Sequence, residues 1–98
     1  MKEKIQSVIF EALANLADEL ENNELKAPTS QTKIYGIGGN LDSLALVSFI
    51  ADLEEMLSEA LKLEVILADE KTMSGRNSPF KDVSTLTSYI LTKAQSNE

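Results

Sequence analysis

Apolar residues recur at helical spacing in three stretches of the chain. In the first, Ile5, Val8, Ile9, Ala12, Leu13, Leu16, Ala17 and Leu20 follow an i, i+3, i+4, i+7 pattern. That pattern places them on one face of a helix over about 2–22. Glu3, Glu11, Asn15, Asp18 and Glu19 fall mainly outside the stripe, and Glu21-Asn22-Asn23 ends it with residues suited to a helix C-terminus. A second helix is predicted over about 42–62. There Leu46, Val47, Phe49, Ile50, Leu53, Met56, Leu57, Ala60 and Leu61 cover an arc of roughly 180°. A third, over about 83–95, lines up Val83, Leu86, Ile90 and Ala94, with Tyr89 and Leu91 flanking and Phe80 packed under its entrance. Asp42 and Asp82 stand just ahead of these last two helices as N-caps. The carboxylate of Asp42 is placed to accept from the backbone N–H of Leu44 or Ala45.

Between the first two helices the periodicity fails. Pro28, Thr29, Ser30, Gln31, Gly36, Gly38 and Gly39 mark a loop, and Leu25, Ile34, Tyr35 and Ile37 are its expected anchors on the core. At about eighteen residues it is long for a compact domain, and loops of that length are usually functional or partly disordered. A linker between two domains is ruled out because neither flanking piece is long enough to fold alone. The run 63–67 reads as an extended connector that tucks Val65 or Leu67 into the core, because no second strand exists for it to pair with. A short, weak helix is expected over 68–74, followed by a loop to Pro79. The pattern therefore predicts one all-α domain over 1–98, with three longer helices, one short helix and a long first loop.

Composition narrows what such a domain can do. There is no Cys and no His, which excludes disulfides, Cys/His zinc sites and imidazole-assisted nucleophiles. Sixteen acidic residues against nine basic ones give a net charge of −7. That argues against nucleic acid or an anionic membrane as partner and is compatible with proteins that carry basic patches. The N-terminus lacks the continuous apolar run of a signal peptide or membrane span, so the expectation is a cytoplasmic monomer without stable membrane insertion. Glu54 and Glu55 sit about 100° apart on the helix and do not converge as a catalytic pair. Gly36-Ile37-Gly38-Gly39 lacks the Lys and the preceding strand of a phosphate-binding loop.

The segment Asp42-Ser43-Leu44 is the exception. Leu44 lies off the apolar arc, and Ser48, Asp52, Glu55 and Glu59 fall within about 80° of it on the opposite face. An exposed apolar residue thus stands beside a Ser at a helix entrance, above a row of carboxylates. The segment from Leu41 to Glu55 resembles the modification helix of the acyl carrier proteins: the Asp-Ser-Leu motif is intact, the apolar pattern is matched by Leu44, Val47, Phe49, Ile50 and Leu53, and the paired acids by Glu54 and Glu55. A preceding helix, the Ile34-Tyr35-Gly36 element of the loop and the closing Pro79-Phe80…Val83…Leu86…Tyr89-Ile90 helix follow the family order, so the resemblance covers nearly the whole chain.

The resemblance implies an acyl-carrier-like four-helix bundle and a non-catalytic carrier of fatty acid, lipid or polyketide-type biosynthesis. Ser43 would receive 4′-phosphopantetheine from coenzyme A through a phosphopantetheinyl transferase, with Asp42 as cap and motif residue. Leu44, Asp52, Glu55 and Glu59 would face acyl ligase, transferase or synthase partners with basic patches, and Phe49, Ile50 and Met56 would wall an acyl pocket. A phosphodiester at a helix start suits the free N–H groups and positive dipole end there. A borrowed thiol also explains how a chain without Cys could hold a thioester. Ala45 and Ser48 stand where carriers of fatty-acid synthesis usually have acids, which points to a specialised carrier. The alternatives are a carrier of aminoacyl or peptidyl groups, and an unmodified helical adaptor in which Asp42-Ser43 is a plain cap.

Overall fold

The computed structural model describes residues 2–36, 38–65, 67 and 80–96. Within them three helices form: α1 (Lys2–Leu20), α2 (Ser43–Leu61) and α3 (Val83–Ser96), with a single 3-10 turn at Asn23–Leu25. Helix α1 packs against both α2 and α3, so its apolar stripe supplies the centre of the core. The radius of gyration is 12.2 Å, close to the ~13 Å expected for one compact domain of this length.

Seven of the eight predicted core residues of α1 are buried. Leu20 is not: it is 40% exposed, because the helix ends there, two residues earlier than expected. Glu21 takes a left-handed conformation (φ 53°), and the Asn22 N–H turns back to Ala17 O at 3.1 Å, the closing bond of a Schellman end. Helix α2 buries Leu46, Phe49, Ile50, Leu53 and Leu57, an arc of roughly 100° rather than the expected 180°. Met56 and Leu61 border it half-buried. Val47 is 55% exposed and Ala60 is exposed. The first stands at the edge of the arc, and the second lies in the last turn. Both were expected to face the core. In α3, Val83, Leu86 and Ile90 are buried as expected. Thr87 is buried too, its hydroxyl donating to Val83 O one turn back at 2.7 Å, so burial leaves no polar atom unpaired.

The long loop is a splice between the two later helix entrances. Leu25 and Ile34 are fully buried and Tyr35 is partly buried, as their role as anchors requires; Ile37 lies outside the described residues. The Ile34 and Tyr35 N–H groups donate to Lys81 O and Phe80 O at 3.0 and 2.9 Å, and Leu41 N–H donates to Ile34 O at 2.8 Å. Isolated bridges pair Lys33 with Asp82 and Tyr35 with Leu41, and no strand forms among the described residues. Gly39 is required here: a Cβ on it would meet the Tyr35 backbone at 2.7 Å.

After α2, Lys62 adopts the left-handed conformation (φ 59°, ψ 30°) and caps the helix with N–H bonds to Leu57 O and Ser58 O. The connector then buries both Val65 and Leu67. Glu54 Oε1 accepts from the Leu67 N–H at 2.8 Å, which ties the connector to the flank of α2. The short helix expected over 68–74 lies outside the described residues.

Candidate functional site

The site begins with the cap of α2. Asp42 is extended (φ −87°, ψ −177°), and its Oδ1 accepts from the Ala45 N–H at 2.8 Å, the second of the two donors foreseen. Leu46 N–H closes the first turn onto Asp42 O at 2.9 Å. Asp42 therefore does the capping, and Ser43 enters as the first helical residue.

The entrance of α3 is built from the same chemistry but is closed. Asp82 Oδ1 accepts from Thr85 N–H at 2.7 Å. The two N–H groups ahead of it, on Val83 and Ser84, donate to Thr32 O and Ser30 O at 3.1 and 2.9 Å. The N–H groups of the first three helical residues are thus all occupied. At α2, no acceptor is found among the described residues for the Leu44 N–H, which is left to solvent or to an anion.

Leu44 is 83% exposed, and Ser48, Asp52, Glu55 and Glu59 are all exposed on the same side of α2. The structure thus brings together the apolar residue and the acidic row singled out in the sequence. Val47, 55% exposed, extends the apolar patch at the helix start. Glu54 does not belong to this face; it is half-buried and engaged with Leu67. Phe49 and Ile50 are 1% and 2% exposed and belong to the continuous core, with Met56 packed against it.

Asn40 is a residue whose role the sequence did not disclose. Its Nδ2 donates to Lys33 O at 2.7 Å, and its Oδ1 accepts from Asn22 Nδ2 at 3.2 Å. It fastens the approach to α2 both to the loop and to the end of α1. Only its place among polar loop residues could have marked it. Among the described residues no group of His, Cys, Asp or Glu could hold a metal ion, and no helix is long and apolar enough to cross a membrane. Protein-family models, curated proteins and solved structures were compared with the chain, and none matches.

Proposed function

We propose that this chain is a carrier protein of the acyl-carrier type, on a four-helix fold. It would hold acyl groups as thioesters on a 4′-phosphopantetheine arm attached to Ser43. The observation that carries the reading is the division of labour at the start of α2: Asp42 satisfies the Ala45 N–H, which leaves Ser43 at the helix entrance as a handle. The Leu44 N–H and the positive end of the helix dipole suit the phosphodiester that attachment creates.

In the attachment step, Ser43 Oγ attacks the phosphorus on the pantetheine side of coenzyme A. An Oγ–P bond forms as the bond to the adenosine bisphosphate half breaks. The serine proton passes to a base that the transferase supplies. Leu44 and the carboxylates of Asp52, Glu55 and Glu59 then form the surface presented to partner enzymes with basic patches. An acyl chain folded back between the helices would have to part the core at Phe49, Ile50 and Met56. The test is the intact mass of the protein after co-expression with a promiscuous phosphopantetheinyl transferase. The expected result is a gain of one arm that disappears in Ser43→Ala. No gain overturns the reading in favour of an unmodified adaptor, and a gain that persists in that variant overturns Ser43 as the point of attachment.

A further inference from the structure

A cleft of about 340 Å³ opens on the long loop and is lined by Gln31, Thr32, Lys33, Gly38 and Asn40. None of the five is acidic, in a chain of net charge −7. The lining is rich in donors instead. Lys33 brings an ammonium, and its Cδ and Nζ both lie 3.5 Å from where a Gly38 Cβ would stand, so the side chain is laid across that glycine. Among the described residues no carboxylate pairs with it. Thr32 Oγ1 accepts from Thr29 N–H at 2.7 Å, which leaves its own O–H to donate. Asn40 spends one Nδ2 hydrogen on Lys33 O and keeps the other, and the Gln31 amide adds two more.

The walls are held in place before any ligand arrives. Leu41 N–H to Ile34 O at 2.8 Å, Gly39 N–H to Gly36 O at 2.9 Å and Val83 N–H to Thr32 O at 3.1 Å fix the loop's course. Asn40 precedes Ser43 by three residues, so their Cα atoms are at most about 11 Å apart. A group covalently fixed at Ser43 is therefore within reach of the cleft, at high effective concentration.

We infer that this cleft seats the phosphodiester and the adjoining amide-bearing part of the arm on Ser43, with the Lys33 ammonium as its counter-charge. The inference rests on the carrier reading. It gives the loop a second task beyond joining helices: to hold the root of the arm, leaving the acidic face of α2 clear for partners.

The experiment follows 15N-labelled protein by amide NMR and 31P NMR before and after loading, with loading verified by intact mass. Loading is expected to shift the Lys33 and Gly38 amides and the Gln31 and Asn40 side-chain amides, together with signals around Ser43. Lys33→Gln is expected to load to the same mass, lose the loop shifts and move the 31P resonance. Lys62→Gln removes the same charge at the far end of α2, about 28 Å away over its 19 residues, and is expected to behave as wild type. A full mass gain with shifts confined to 42–47, or loop shifts and a 31P resonance unchanged by Lys33→Gln, overturns this inference alone. Absence of any mass gain overturns the carrier reading and this inference together.

Discussion

Two aspartates cap two helices at nearly equal distances, yet among the described residues only one of the entrances is left open. Asp42 and Asp82 accept at 2.8 and 2.7 Å from the third residue of their helices. The difference lies in the loop carbonyls of Ser30 and Thr32, which occupy the remaining donors of α3. Replacing Asp42 by Ala is expected to lower stability by about 1 kcal/mol, whereas Asn, an equally good cap, is expected to keep it; urea unfolding of the three proteins checks this. Ser43→Ala is expected to remain within about 0.5 kcal/mol of wild type, because the cap is on its neighbour. Gly39→Ala is a stronger perturbation. The added Cβ would meet backbone at 2.7 Å, and the splice must shift to admit it, at a cost of about 1–3 kcal/mol. The Asp42 cap was legible in the sequence because a cap and its donor are three residues apart. Asn40 was not, because its partners Asn22 and Lys33 are joined to it only by folding.

At the scale of elements, α2 is a helix of two faces. Its buried arc holds Phe49 at 1% exposure while Leu44 and Val47 remain 83% and 55% exposed. Phe49→Ala is expected to cost about 3–5 kcal/mol through lost burial and the cavity left behind. Leu44→Ser and Val47→Ser are expected to stay within about 0.5 kcal/mol. Thermal or denaturant unfolding separates the two groups, and a large loss at Val47 would mean that this face is covered. The helix is also tied to the 63–67 connector by the Glu54–Leu67 bond at 2.8 Å. Glu54→Ala is expected to accelerate hydrogen exchange at the Leu67 amide, and Glu54→Gln, which keeps an acceptor, to do so less. The helices and their order were legible because the 3.6-residue period is a local property. The width of the α2 stripe was not, because only the neighbouring helix decides which flank it covers.

At the scale of the whole molecule, acidity concentrates on a face that no other element covers among the described residues. Asp52, Glu55 and Glu59 stand exposed beside Leu44, in a chain of net charge −7. Attraction between this ridge and a basic partner acts on encounter, and the Debye length shrinks from about 30 Å at 0.01 M salt to about 3 Å at 1 M. On the proposed carrier reading, association with a phosphopantetheinyl transferase, followed by stopped flow, is therefore expected to slow as salt is raised. Glu55→Gln combined with Glu59→Gln is expected to lower the on-rate and its salt dependence with little change in off-rate. An on-rate indifferent to salt would remove electrostatic steering from the account.

Three amphipathic helices, both Asp caps, the loop anchors Leu25 and Ile34 and the exposed row Leu44, Ser48, Asp52, Glu55 and Glu59 follow from the order of residues alone. Each depends on residues a few positions apart or on the plain rule that apolar anchors seek the core. Tertiary structure decided the rest: where α1 stops, the exposure of Leu20, Val47 and Ala60, the Glu54–Leu67 tie and the course of the loop. The loop's course is set by backbone bonds such as Ile34 to Lys81 and Ser84 to Ser30. Backbone N–H and C=O groups are alike at nearly every residue, so no side-chain pattern announces which of them will meet. Among the described residues, loop carbonyls meet the donors of the entrance at Val83 and none meets the Leu44 N–H at the entrance of α2.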